Sequence, residues 1–280
     1  MFKDLVVPIT GTSGDAHALN AALDLATATG AHVSVLEMLS MPMPLADPWG
    51  MTPDLGMGDL YGKLRAQAQI NVDKLKTRLE KESVSTEVRL IESLFVDPSR
   101  MAAHCAHYAD LTVVAGSFGG AADAAVAHAY LGSLLLESGR PVLVVPPGCK
   151  TPMPPRRIVV AWRPSREATR ALHDAMSLLR NAEVVDVAVV DPAGGETGHG
   201  EQPGADIATH LARNGVNPRV VVCASNGLAI SAVLLEHARQ ADASLIVAGG
   251  YGHTRFREWA LGGVTRELLM AAPIPVLFSH

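Results

Sequence analysis

Apolar runs of five to seven residues recur along this chain, and amphipathic helical patterns separate them. Five runs predict strands in the first half, at 4–9, 32–38, 86–91, 111–116 and 141–145. Five more predict strands in the second half, at 157–162, 184–190, 218–223, 244–249 and 275–279. Continuous apolar strands are typical of parallel sheets that helices cover on both faces. The alternation of strands and helices therefore predicts an α/β fold built from βαβ units.

The segments between the strands contain helix starts and one long loop. Thr12 and Asp15, after the first strand, resemble a capping box that begins a helix. The stretch at 40–58 is rich in proline, glycine and methionine, and it is predicted to be a loop that is either functional or simply mobile. A charged helix is predicted at 59–82, and a short helix through 134–138 leads to the fifth strand.

The same landmarks occur twice and in the same order. The segment VVAGSFG at 113–119 returns as IVAGGYG at 246–252. A repeated unit of this size is a domain, because solenoid repeats are much shorter. We therefore predict two doubly wound domains, at 1–147 and 157–280, joined by a proline-rich linker at 148–156.

Composition narrows the class of protein. The 280 residues are 48% hydrophobic and 18% charged, which is enough to bury two cores. A formal charge of −5 offers no basic field for nucleic acid, and no apolar run is long enough to span a membrane. The 3 cysteines lack the spacing of a disulfide framework, so a reduced cytoplasm is the expected location.

Glycines follow the fourth predicted strand of each half. At such a position they let backbone N–H groups approach phosphate oxygens, although a glycine after a strand is often a plain turn. The second half has the spacing G-x2-G-x9-G, and the first half has a longer version of it. The candidate residues are Gly116, Gly119 and Gly132 with Ser133, and Gly249, Gly252 and Gly262.

This arrangement, with a small polar turn after the first strand and a Pro-Val-Leu closing strand, resembles the universal stress protein family in both halves. The resemblance implies a tandem protein in which each domain has a five-stranded parallel sheet in the order 3-2-1-4-5. It implies ATP, ADP or AMP as ligand, with or without Mg²⁺. The glycines would surround the phosphates, and a Ser or Thr hydroxyl would reach the phosphate and ribose region.

Several positions depart from the family pattern. Its members that bind ATP have an aspartate after the first strand, where this chain has Thr10 and Arg163. Thr10 retains a hydroxyl for a ribose, so the first site could work in weakened form, and Arg163 could pair with a phosphate or carboxylate. Gly263 stands where the second motif should have a hydroxyl, with Thr265 two residues further on. The first motif also has three extra residues.

Three further groups have two interpretations each. Trp162 could stack on an adenine or fill the space under a loop. His104, Cys105 and His107 share a helix, but without a third ligand at zinc spacing a structural or surface role is favoured over a metal site. A group in the second glycine loop could form an anion site or could be surface charges paired with Glu258. Its members are Tyr251, His253, Arg255 and Arg257.

The leading hypothesis is a cytoplasmic stress-response protein that binds an adenine nucleotide as a signal in at least one half, and also binds an unidentified protein partner. Enzyme activity beyond slow ATP hydrolysis would count against this hypothesis. The alternatives are an interaction scaffold that has lost nucleotide binding, and a nucleotide-dependent hydrolase or transferase. The family also implies that the closing strands, 141–145 and 275–279, pair antiparallel within the chain. Further dimerisation of the whole chain is left open.

Overall fold

The computed structural model describes residues 1–43, 57–117, 120–192, 202–251 and 263–280. The strands in these ranges are β1 (Asp4–Ile9), β2 (His32–Met41), β3 (Thr86–Leu94), β4 (Leu111–Ala115), β5 (Val142–Val145), β6 (Arg157–Ala161), β7 (Val184–Val190), β8 (Pro218–Cys223), β9 (Leu245–Gly249) and β10 (Val276–Ser279). The helices are α1 (Asp15–Thr29), α2 (Met57–Leu79), α3 (Pro98–Ala106), α4 (Ala121–Glu137), α5 (Arg166–Asp174), α6 (Met176–Leu179), α7 (Ala205–Arg213), α8 (Ile230–Gln240) and α9 (Gly263–Ala271).

The strands form one 10-stranded sheet in the order β3-β2-β1-β4-β5-β10-β9-β6-β7-β8. Counted within each half, the order is 3-2-1-4-5, and neighbouring strands within a half are parallel. The halves meet where β5 and β10 pair antiparallel, with Leu143 opposite Leu277. The predicted α/β fold and the predicted pairing of the closing strands are both confirmed. The domain limits at 147 and 157 stay a prediction.

Helices cover both faces of the sheet. One apolar layer packs α1, α5 and α6 against one face, with Leu25 and Leu172 at its centre. The other layer packs α3, α4, α8 and α9 against the opposite face, around the fully buried Phe278 of β10. Burial of apolar surface on both faces explains why the strands are continuous apolar runs.

A buried ion cluster joins β7, β8 and α8. Asp186 is only 2% exposed, and its carboxylate accepts hydrogen bonds from Arg219 Nε and Nη2 at 2.8 and 2.6 Å. His237 Nε2 lies 2.9 Å from the same carboxylate. Two partners from two elements satisfy a charge that could not otherwise be buried.

Two predictions from the sequence were wrong. Helix α4 begins at Ala121, so it is far longer than the short helix predicted at 134–138. The capping box is absent, because the α1 N-cap is Gly14 and it makes no side-chain cap bond. Gly11, with φ of 77°, turns the chain so that the Asp15 carboxylate reaches back to the end of β1 instead. Strand β2 also continues to Met41, and most of the predicted loop at 40–58 lies outside the described residues.

Candidate functional site

A cavity of about 160 Å³ opens in the second half, at the carboxyl ends of β6 and β9. These two strands lie side by side, and the chain leaves β6 towards β7 on its other flank, so the strand order reverses here. Ligands of doubly wound sheets bind at this kind of position. The cavity is therefore the candidate functional site.

The cavity has mainly apolar walls. Ala161, Ala188 and Ala248 line it from three strands, and Leu234 and Val264 line it from α8 and α9. Small side chains on the strands leave the space that larger ones would occupy. A flat apolar or aromatic group fits between such walls.

A few polar side chains also line the cavity. Thr265 on α9 is only 4% exposed, and its hydroxyl makes no hydrogen bond to any described residue. Arg163 is exposed and follows Trp162 directly after β6. Glu167 adds a carboxylate, whereas the Ser165 hydroxyl already accepts the N–H of Ala168 at 3.2 Å as the N-cap of α5. The arrangement can hold an aromatic ring, donate one hydroxyl hydrogen bond and pair with one anionic group.

Gly249 is required by packing at this site. A Cβ built on it would lie 2.7 Å from Ala168 N and 2.7 Å from the carbonyl carbon of Glu167. These are backbone atoms of the first turn of α5, so the helix approaches β9 more closely than any side chain permits. Gly249, which the sequence assigned to phosphate contact, thus lets α5 pack directly against β9 at the edge of the cavity.

The next two residues leave the cavity and contact the first half. A Cβ on Gly250 would lie 2.9 Å from Leu135 Cδ1, and one on Gly132 would lie 3.1 Å from the Tyr251 hydroxyl. Burial raises the pKa of Tyr251 to about 12, and its ring packs edge-on against His280. Tyr251 therefore lies against α4 of the first half.

The corresponding end of β1 in the first half is occupied by Asp15. Its carboxylate accepts the Thr10 hydroxyl at 2.6 Å and the backbone N–H groups of Thr10 and Gly11 at 3.0 and 2.8 Å. Thr10, proposed from the sequence as the ribose contact, is thus bonded within the protein. The sequence suggested Asp15 only as part of a capping box, although an acidic residue just after a turn rich in glycine and hydroxyl groups was a signal for this position.

Other acidic groups surround this end of the first half. Burial raises the pKa of Asp15 and of Glu37, and the Asp15 charge raises the pKa of Glu37 further. Burial raises the pKa of Tyr130 as well, with additional contributions from Asp15, Asp97 and Glu37. The region is therefore acidic, and anionic ligands are disfavoured there.

The remaining predicted site residues are in several places. Gly116 packs against the fifth strand, where a Cβ would lie 3.0 Å from Val144 Cγ1. Gly132 and Ser133 lie inside α4, where the Ser133 hydroxyl bonds Ser99 Oγ at 2.8 Å. Gly263 begins α9, with nothing within 4 Å of a built Cβ. The other three glycines and three members of the proposed anion cluster lie outside the described residues: Gly119, Gly252, Gly262, His253, Arg255 and Arg257.

The histidines at the end of α3 form ring contacts and no metal centre in the described residues. The His104 and His107 rings lie 5.8 Å apart, edge to face. Across the described part of the chain, no group of three or more His, Cys, Asp or Glu side chains is arranged to hold a metal ion. Burial raises the pKa of the Cys105 thiol, and all three cysteines are free. None of the helices in the described ranges is long and apolar enough to span a membrane.

Known structures with the same fold cover nearly the whole chain. A universal stress protein from Archaeoglobus fulgidus DSM 4304 has a TM-score of 0.70 and 16% identity, over 99% of this chain and 95% of that one. A putative universal stress protein from Pseudomonas aeruginosa UCBPP-PA14 has a TM-score of 0.59 and 14% identity, over 99% and 93%. At these identities the likeness shows the fold alone, and it extends over both halves.

A family match is found in the second half. Residues 154–280, which include the residues that line the cavity, match the universal stress protein family. No curated protein matches the chain in sequence. The first half shares the fold through the full-length structural matches.

Proposed function

We propose that this protein is a tandem universal stress protein that binds an adenine nucleotide in its second half, as a regulatory ligand. The observation that carries the proposal is the cavity at the carboxyl ends of β6 and β9, inside the half that matches the family. Its apolar walls suit an adenine ring, and its volume suits a base with part of a ribose better than a whole triphosphate. The first half is proposed to be a diverged copy of the same domain.

Three side chains support specific contacts with such a ligand. Trp162 offers an aromatic face at the cavity wall. The Thr265 hydroxyl is positioned to bond a ribose or base atom, and Arg163 is positioned to pair with a phosphate. We propose AMP, ADP or ATP as the ligand, with Mg²⁺ as an accompanying ion for the polyphosphates.

The second half is the better candidate for this site than the first. Thr10 suggested a weakened site in the first half, but its hydroxyl and N–H are bonded to Asp15. In the second half, Arg163 and Gly263 depart from the family motif, yet the cavity remains. We further propose a cytoplasmic location and a protein partner, with binding rather than turnover as the activity.

A second candidate is a scaffold that has lost nucleotide binding. The same two departures favour it, because Arg163 removes the carboxylate expected to contact adenosine and Gly263 removes a hydroxyl. The two candidates differ in one observable, which is whether the second half binds adenosine compounds at all.

The experiment begins with denaturation of freshly purified protein and chromatography of any released nucleotide. The emptied protein is then titrated with adenosine, AMP, ADP and ATP by calorimetry and by thermal melting. A ligand at about 100 times its Kd adds about 2.7 kcal/mol of stability, which a melting curve resolves. No release, no heat and no shift for any of the four compounds would overturn the proposal and favour the scaffold.

Two matched pairs of variants test the contacts. Thr265→Ala should weaken binding about tenfold through the loss of one hydrogen bond, whereas Thr209→Ala, on an exposed face of α7, should not. Arg163→Ala should weaken binding of AMP and leave adenosine unchanged. Its control is Arg166→Ala, an exposed arginine on the adjacent turn of α5. Equal effects within either pair would contradict the assigned contacts.

A further inference from the structure

We infer that Tyr130 closes the first half's counterpart of the cavity, and that the difference between Tyr130 and Val264 limits the chain to one ligand. The inference rests on the proposed function for the identity of the ligand, but not for the cavity itself. The consequence is a tandem protein with one open and one closed site.

The two residues occupy equivalent positions in the two halves. Tyr130 and Val264 each lie eleven residues before the proline that precedes the closing strand, Pro141 or Pro275. Equivalent hydrogen bonds, three residues further along each of the two helices, support this alignment. Ser133 bonds Ser99 on α3, and Glu267, at the same distance from its proline, bonds Ser231 on α8. Equivalent helices are thus tied in the same way.

The strand registers extend this comparison to the strands that line the cavity. Ala188 pairs with Ala161 at the end of β6, and Leu36 pairs with Pro8 at the corresponding position of β1. Leu36 is fully buried, whereas the alanine at the equivalent position lines the cavity. At these two positions, one on a strand and one on a helix, the first half has the larger side chain of the pair.

Tyr130 makes the largest of these replacements. It is only 5% exposed and packs in the same apolar layer as Val114 and Leu131. By this alignment its ring takes the place of Val264, the smaller side chain that lines the cavity in the second half. Burial raises the pKa of Tyr130, and the charges of Asp15, Asp97 and Glu37 raise it further, so its hydroxyl lies near these acidic groups at the end of β1.

The acidic groups around Tyr130 also disfavour a nucleotide in the first half. Asp15 and Glu37 lie close enough for the charge of Asp15 to raise the pKa of Glu37. No described cation contributes to the pKa of either carboxyl group. A phosphate placed beside these carboxylates would be repelled, so the first half is unsuited to nucleotides even when the space is made.

The test uses xenon as a small apolar probe, because it reports an open cavity without assuming the ligand. Xenon positions are located by crystallography under pressure in the full-length protein. We expect xenon in the second half of the wild type, an additional xenon beside β4 in Tyr130→Val, and none in the cavity of Val264→Tyr. Tyr108→Val, at a tyrosine that is 81% exposed, is the control and should match the wild type.

The outcomes separate this inference from the proposed function. If Tyr130→Val gains no site in the first half, or if Val264→Tyr keeps its cavity, the inference is overturned. If the wild type binds xenon but no adenosine compound, the proposed nucleotide binding is overturned. The inference that Tyr130 closes the first half is then unaffected. Should Tyr130→Val fold poorly, Tyr130→Leu, which keeps more of the apolar volume and removes the phenol ring, is tested for xenon beside β4 in its place. Adenosine titration of Val264→Tyr should then show no measurable binding.

Discussion

Gly249 offers the sharpest test of how the cavity is built. Replacing it with alanine places a Cβ 2.7 Å from two backbone atoms of α5, Ala168 N and Glu167 C. Ordinary contacts between such atoms are about 3.5–4.0 Å, so the first turn of α5 must move by about 1 Å. Overpacking of this kind costs about 1–3 kcal/mol. Glu167 and Ala168 of this turn line the cavity, so the cavity should change shape as well.

The assay compares Gly249→Ala with Gly263→Ala in thermal melts and urea unfolding. A chain of this size loses about 2–4 °C in Tm per kcal/mol, so Gly249→Ala should melt about 2–12 °C below the wild type. Gly263 has nothing within 4 Å of a built Cβ and begins a helix, so its alanine variant should change stability by less than about 0.5 kcal/mol. Equal melting temperatures for the two variants would refute the packing role, and unchanged ligand affinity in Gly249→Ala would refute its link to the cavity.

Two further predictions concern buried charge. Burial raises the folded-state pKa of Asp15 above its ordinary value of 3.8, so the folded protein binds this proton more tightly than the unfolded chain does. The free energy of unfolding should therefore fall as pH rises from 3.8 through the folded pKa. Urea unfolding across this range should show a shallower fall for Asp15→Asn than for the wild type. Identical pH profiles for the two proteins would contradict the assignment of this effect to Asp15. Asp186→Ala should cost about 1–3 kcal/mol, because it leaves the largely buried His237 without its hydrogen-bond partner, whereas the exposed Arg219 side chain returns to water. Glu236→Ala, in a surface pair, should leave the urea midpoint unchanged, and equal midpoints for both variants would refute the contrast.

Strands were more predictable from this sequence than helix starts. Strand β7 has the same bounds in the structure as in its apolar run, 184–190, because both of its faces are buried. Helix α4 was missed over its first thirteen residues, where alanines carry little periodic signal and Gly132 was assigned to the glycine motif. The structure shows why a glycine stands there, since the Tyr251 hydroxyl occupies the space next to it.

The site was less predictable than the fold. The position of the glycines after β4 and β9 follows from topology, and the sequence located it. Which half holds a cavity depends on side-chain volumes at positions far apart in sequence, such as Ala188 and Val264, which only the register brings together. The hydrogen bonds of Asp15 depend on the turn at Gly11, which a local pattern shared with capping boxes does not distinguish.

The most direct test of the central claim is photolabelling of the full-length protein with azido-adenosine, followed by peptide mapping with mass spectrometry. We predict a label in peptides around Trp162, Ile230 or Thr265, which line the cavity, and its loss in the presence of excess AMP. Labelling that AMP suppresses only in the first half would contradict the assignment of the site to the second half. Labelling that AMP does not suppress anywhere would contradict nucleotide binding itself.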